Sequence, residues 1–292
     1  MIVNPYSTAV TPERVAEVEA ELRRRVELVT LQTKGPGHAV ELAREAADDV
    51  DAILVFSGDG TYNEAVNGAA GKVPFGFLPG GGTSVVPRAL GLPRDPVAAA
   101  ERVADALVAD RKRVISLGRV NDRLFCFSAG IGLDAELIRR VDSRGRGPDG
   151  KRPSNLAFVL TLVRLLAERR LRIPQQLEVA GYGRAALVVV ANGRPYTYAG
   201  PLPVVITAAA RFAGGLDFVA PRELTPRQAP DLVWRAFRGT AAGAPGVLAG
   251  HDLDRIEVAC DRPLPLQADG EDLGDVIEAV FEAERDALAV LV

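Results

Sequence analysis

Over its first third the chain alternates short apolar runs with segments of helical spacing. Ile2–Asn4 reads as a strand, and Thr11-Pro12-Glu13 then supplies a cap, a proline at the first helical position and a first-turn acid. That predicts a helix to about Arg25. Val26–Leu31 is strand-like, Ala39–Ala47 carries apolar residues at helical spacing, and Ala52–Phe56 is a continuous apolar strand. A helix at Tyr62–Ala70, a strand at Val73–Leu78 and a helix at Pro96–Val108 continue the alternation. Such repeated units predict a parallel sheet with helices on both faces, whose ligands bind beyond the carboxyl ends of the strands.

Near Lys112 the pattern changes. Val114–Val120 and Leu124–Ser128 alternate around the turn pair Asn121-Asp122. Further strands are predicted at Gln176–Val179, Ala186–Ala191, Val204–Thr207, Leu216–Val219, Arg255–Ala259 and Leu264–Ala268, mostly separated by Gly, Pro or Asp turns. This is the pattern of an antiparallel β-sandwich, with helices inserted at Asp134–Val141, Asn155–Arg169 and Pro226–Arg238. Ala287–Val292 is strand-like and is a candidate to return to the first domain.

Composition narrows the class. With 48% hydrophobic and 25% charged residues the chain is globular, and a net charge of −3 excludes the broad basic field of a duplex nucleic-acid binder. Cys126 and Cys260 read as buried free thiols in a reducing cytoplasm. The amino terminus shows no signal-peptide pattern, and the longest apolar helix candidate, Leu156–Leu166, is too short to span a bilayer. A cytoplasmic protein is expected. Ser143–Pro153, glycine-rich and basic, reads as a solvated loop, with peripheral contact to anionic lipid at the inner membrane surface as the alternative.

Four segments carry candidate chemistry. Ser57-Gly58-Asp59-Gly60-Thr61, with Asn63, Glu64 and Asn67, follows a strand and opens a helix, the setting in which backbone N–H groups hold phosphate. A carboxylate in that turn repels phosphate, so Asp59 points to proton or magnesium handling during phosphoryl transfer. Pro79-Gly80-Gly81-Gly82-Thr83 ends the next strand and offers a second lip. Asn4-Pro5-Tyr6-Ser7 and Thr33 end the first two strands at the same sheet edge. Ala268-Asp269-Gly270-Glu271, far along the chain, adds carboxylates after a strand-like run.

SGDGTYNEAVNG, with NPYS before it, LPGGGT after it and QADGE near the end, resembles the diacylglycerol kinase catalytic-domain family. Ser128–Ala135 (SAGIGLDA) and Ala191-Asn192-Gly193 fall in the expected order, so the resemblance covers nearly the whole chain. It implies an α/β nucleotide-binding domain at residues 1–112, with a tail from about 277 to 292 packing back on it. It also implies a β-sandwich lipid-substrate domain at 113–276, with ATP in the cleft between the two. The implied reaction transfers the γ-phosphate of Mg-ATP to a lipid hydroxyl, and the implied cofactors are ATP and Mg2+. Glu271 matches the family's proposed general base, and Asp59 would lie by the phosphates and magnesium. Asn4, Pro5, Ser7, Thr33, Ser57, Gly58, Gly60, Thr61, Asn63, Glu64, Gly80, Gly81, Gly82 and Thr83 fall where family members hold the nucleotide. Leu156–Leu166 is a candidate wall for the lipid tail. The oligomeric state, a homodimer included, is left open.

The chain departs from the family in three places. Across the second lip, where the family reads Pro-x-Gly-Thr-x-Asn-Asp, Gly82 stands at the Thr, Ser84 at the Asn and Val85 at the Asp. The opening motif ends in Thr8 instead of glycine. Gly214-Gly215-Leu216 replaces an Asp-Gly-Leu magnesium segment, so no protein-held metal site is carried over. The altered lip and the missing metal carboxylate keep a catalytically weak relative that binds nucleotide or lipid in view, and the GDGT run, shared with NAD kinases, keeps an NAD kinase-like enzyme as a second alternative.

Overall fold

The computed structural model describes residues 1–143 and 172–292, together with positions 161, 164, 165 and 168. The expected lipid wall at 156–166, the helix at 155–169 and the basic loop at 143–153 otherwise lie outside these residues. The chain divides into two units, one of Met1–Ile115 with Asp286–Val292 and one of Ser116–Arg285.

In the first unit the apolar runs become short parallel strands. These are β1 (Ile2–Val3), β2 (Leu31–Gln32), β3 (Ile53–Ser57) and β4 (Phe75–Pro79), in the order β2-β1-β3-β4. Val290, near the carboxyl end of the chain, pairs with Phe75 on the far side of β4. Successive residues of a strand face opposite ways. Leu54, Phe56 and Leu78 therefore pack with Val18 and Leu22 of α1 (Pro12–Leu22) and with Ala99 and Val103 of α5 (Pro96–Val108). Phe77 points the other way, edge-on to Tyr62 of α3 (Asp59–Ala69), which packs beside α2 (His38–Ala46). Gly68 permits that packing, because a Cβ there would lie 2.3 Å from the Val40 carbonyl oxygen. Thr11 caps α1 by accepting the Arg14 N–H.

Two expectations need correction here, and one helix was not foreseen. Of the run 26–31 only Leu31 is strand, the first residue of β2: Val26 and Leu28 turn in against the core as loop, while Val29 is exposed. Helix α3 starts at Asp59, three residues before the expected Tyr62, so Gly60 lies inside its first turn. A five-residue helix, α4 (Val85–Ala89), follows the second glycine loop with no periodic pattern to announce it.

The second unit is β-rich and antiparallel. The long strands β5 (Lys112–Val120) and β16 (Glu271–Leu291) each have one end in it. Between them come β6 (Arg123–Phe125), β7 (Ser128–Ile131), β8 (Leu177–Val179), β9 (Gly183–Ala185), β10 (Val188–Ala191), the hairpin β11–β12 (Thr197–Ala199, Leu202–Val204), β13 (Leu216–Pro221), β14 (Val247–Leu253) and β15 (Arg255–Ala268). Its principal sheet runs β14-β13-β10-β7-β15-β16, every neighbour antiparallel. Phe125, Ile131, Val190, Phe218, Leu266 and Phe281 form its core. Helices α6 (Leu133–Asp142) and α7 (Ala229–Arg238) are inserted. Arg255–Ala259 and Leu264–Ala268 are one strand with register shifts, β14 was unforeseen, and the strand expected at 204–207 is β12 instead.

Candidate active-site loops and their architecture

The loops after β1, β3 and β4 share the carboxyl edge of the parallel sheet and are tied to one another by hydrogen bonds. Gly80 is the knot: its N–H donates to the Ser57 carbonyl (2.6 Å), and its carbonyl accepts from the Ala9 N–H and the Ser7 hydroxyl, both at 2.8 Å. The Asn4 amide donates to Thr61 Oγ1 at 3.0 Å, and Ser57 Oγ donates to the same atom at 2.8 Å. The buried Tyr62 hydroxyl lies 2.7 Å from the carbonyls of both Ser57 and Leu78. Burial, and then the charge of Asp59, push that phenol well above its ordinary pKa, so it stays a neutral hydroxyl.

The two glycine lips touch through their main chains. A Cβ on Gly81 would stand 2.7 Å from Gly58 Cα, inside any real contact distance. Gly82, by contrast, is exposed, with nothing within 4 Å of where its Cβ would be. The lips are also joined by Asp59. Its two carboxylate oxygens accept the N–H groups of Val85 (3.0 Å) and Val86 (3.1 Å), which begin α4. Ser84 supports the bend, in the left-handed region at φ 46°, with its hydroxyl on the main chain of Gly81. The carboxylate that looked misplaced for anion binding therefore has a structural use: it fixes the second lip against the first.

Other residues expected to contact nucleotide occupy the supporting layer. Glu64 accepts the N–H groups of Gly37 (2.9 Å) and Ala39 (3.2 Å), capping α2. Asn63 is fully buried, and its side-chain and main-chain oxygens accept from the Asn67 amide, which places it in the helix packing. Thr33, Ser57, Thr61 and Gly80 are buried too. Asn4, Pro5, Ser7, Gly58, Asp59, Gly60, Gly81, Gly82 and Thr83 retain accessible surface. Backbone N–H groups at the start of α3 and glycines without side-chain bulk make this edge suited to phosphate oxygens.

In the second unit the Asp269-Gly270 turn is a buried carboxylate nest. Asp269, at φ 49°, accepts three main-chain N–H groups: Cys126 at 2.5 Å, Phe127 at 2.9 Å and Ser128 at 3.1 Å. Asn192 holds the same loop from another side, donating to the carbonyls of Ser116 and Cys126. Glu271, next along the chain, opens β16 about one-third exposed, with Oε2 3.0 Å from the Arg123 guanidinium. Asp134, which the sequence marked only as a helix start, stands in the first turn of α6, half-buried, and reaches Gln267, two residues before this turn on β15. Its Oδ2 accepts from Gln267 (2.9 Å) and Tyr196 (3.2 Å), and burial raises its pKa. The Gly214–Gly215 segment is held by Asp252, which accepts the Gly215 N–H at 2.6 Å and is itself paired with Arg285.

A magnesium ion is implied by the family resemblance, and the donor set bears on how it would be held. Among the described residues there is no group of three or more His, Cys, Asp or Glu placed to hold a metal. Asp59 is the one carboxylate in the glycine loops. Mg2+ is commonly bound by one or two carboxylates plus substrate phosphates and water. The loops therefore fit an ion that arrives on phosphates.

A family model described as the diacylglycerol kinase catalytic domain matches residues 1–120. A diacylglycerol kinase of Bacillus subtilis is 30% identical over 227 residues, covering 76% of this chain and 68% of that protein. A protein of Streptococcus pneumoniae described as a putative lipid kinase is 28% identical over about half of each chain. Among solved structures, a diacylglycerol kinase from Bacillus anthracis superposes with a TM-score of 0.74 at 23% identity, over 99% of this chain and 95% of that one. An NAD kinase from Archaeoglobus fulgidus, solved with ATP, gives 0.56 at 15% over 100% and 92%, a likeness of fold alone. The α/β unit with its glycine loops, the β-rich unit and a relative matched across two-thirds of its length place this chain in the diacylglycerol kinase family.

Proposed function

We propose that this chain is an ATP-dependent lipid kinase, transferring the γ-phosphate of Mg-ATP to the hydroxyl of a diacylglycerol- or sphingoid-type lipid. The carrying observation is the contact of the two glycine lips at Gly58 and Gly81, locked by Asp59 onto the start of α4. Two main-chain loops held this closely, beside a helix amino terminus, suit a polyphosphate. Asn4, Ser7, Gly58 to Gly60 and Gly81 to Thr83 are the proposed phosphate contacts, with Pro5 framing the first loop. Thr33, Ser57, Thr61, Asn63, Glu64 and Gly80 shape that surface from beneath. The lipid acceptor is supported by the relatives' descriptions.

In the proposed reaction the acceptor oxygen attacks the γ-phosphorus, its proton passes to a base, and ADP leaves with the bridging oxygen. Glu271 is the proposed base. Asp59 would contribute a carboxylate oxygen to magnesium, whose contribution when bound is to neutralise phosphate charge. Phosphoryl transfer of this kind depends mainly on positioning and electrostatics.

The altered second lip favours the catalytically weak alternative, but Ser84 and Asp59 still give that lip a defined shape. A panel assay separates the readings. Purified protein is given γ-labelled ATP and magnesium with diacylglycerol, a sphingoid base, ceramide or NAD. Label in a lipid supports the proposal. Label in NAD supports the NAD kinase reading, and ATP binding without any labelled product supports the non-catalytic one.

A further inference from the structure

Helix α7 has two apolar stripes, one of which packs half-buried against described residues of its own unit. Ala229 and Leu232 turn inward against Ile173, Ala186 and Leu224, and the Ala236 carbonyl accepts the Val205 N–H at 2.7 Å. Pro230, Val233, Trp234 and Phe237, at the i, i+3, i+4, i+7 spacing of one helix face, turn outward. Val233 is 53% exposed and Trp234 61%. With Leu202 and Pro203 of the β11–β12 hairpin they line an open groove of about 750 Å³.

The charges around this groove are asymmetric. On the helix Arg235 is paired with Asp231 at 2.7 Å, which leaves Arg238, and the exposed Arg227 precedes the helix. Arg238 reaches over the Trp234 ring, 5.7 Å from its centroid. The chain as a whole is acidic, at −3, so this basic border is a local feature. Trp and Phe on one face with arginines beside them is the composition of helices that settle at the boundary of head groups and acyl chains.

We propose that the outward face of α7, with the β11–β12 hairpin, docks onto an anionic lipid bilayer. The apolar stripe enters the acyl boundary, while Arg227 and Arg238 meet the phosphates. The surface differs from the basic loop at 143–153, and the inference does not depend on which molecule is phosphorylated.

The chain contains one tryptophan, Trp234, so its emission reports on this helix. The protein is mixed with vesicles of phosphatidylcholine and phosphatidylserine, neither of which offers a hydroxyl acceptor, and then with phosphatidylcholine alone. Expected are a blue shift and quenching by brominated acyl chains on the anionic vesicles, with weaker binding on the neutral ones. Val233→Ser with Phe237→Ser should lower vesicle partitioning at least about tenfold, and Arg227→Glu with Arg238→Glu should remove the preference for anionic lipid. These side chains are exposed, and circular dichroism checks that the variants fold. Three results would overturn the proposal: emission unchanged by vesicles, partitioning unaltered by both variants, or a concentration-dependent dimer that shields Trp234 without lipid. None of them bears on the kinase reading, which is assayed separately with acceptors in detergent micelles.

Discussion

Replacing Asp59 with Asn tests whether its carboxylate fixes the second lip. The two oxygens accept N–H groups at 3.0 and 3.1 Å from Val85 and Val86, residues that are 2% and 1% exposed. An amide keeps one acceptor and turns a donor toward the other N–H. One buried N–H then goes unpaired, at a cost of roughly 1–3 kcal/mol. About 2 kcal/mol corresponds to roughly 30-fold faster amide exchange if the lip opens locally. Hydrogen exchange read by mass spectrometry on a peptide spanning 79–90, without nucleotide, measures this directly. Asp59→Ala leaves both N–H groups unpaired and should have the larger effect. ATP binding to Asp59→Asn should weaken with and without magnesium, because the lip itself is loosened. Unchanged exchange at 79–90, with a binding defect seen only when magnesium is present, would refute the structural role and leave Asp59 as a metal ligand alone.

Gly81→Ala should weaken ATP binding at least about tenfold and cost about 1–3 kcal/mol, because its Cβ meets Gly58 Cα at 2.7 Å. Gly82→Ala, with nothing within 4 Å, should stay within about 0.5 kcal/mol of the parent in a urea melt. Asp269→Asn keeps a residue tolerant of φ 49° but replaces a carboxylate that accepts three N–H groups. A loss of about 3 kcal/mol in denaturant midpoint analysis is expected. Asp134 has a raised folded pKa, mainly from burial, so its contribution to stability is full below the unfolded aspartate value and declines as pH rises toward the folded value. Relative to Asp134→Asn, the parent should therefore lose melting temperature as pH increases from about 4, the region of the unfolded aspartate pKa; a difference that does not change with pH would contradict this.

The hydrophobic pattern revealed the architecture more clearly than the contacts within it. Ala52–Phe56 and Val73–Leu78 were legible as strands because their continuous apolar runs are buried on both faces, and the glycines after them were legible as ligand loops. The start of α3 was not, since glycine at position 60 is a poor helix former that neighbouring contacts override. Asp59's partners were also hidden. Val85 and Val86 belong to a five-residue helix with no apolar periodicity, and a hydrogen bond across 26 residues leaves no local signature. Glu64 sat inside a nucleotide motif, yet the groups it caps, Gly37 and Ala39, come from an earlier helix. The helical spacing of 226–238 predicted α7 but could not show which of its two apolar stripes would find a partner.

Label transfer to lipid by the parent protein beside Glu271→Gln tests the central claim most directly. Both are assayed with γ-labelled Mg-ATP and diacylglycerol or a sphingoid base in detergent micelles, and the lipid product is identified by mass. The account predicts a monophosphorylated lipid from the parent and roughly 10²–10⁴ less from the folded variant, the usual consequence of losing a general base. A parent that phosphorylates no lipid while binding ATP, or that phosphorylates NAD instead, would contradict the claim; full activity in Glu271→Gln would remove Glu271 from the base role.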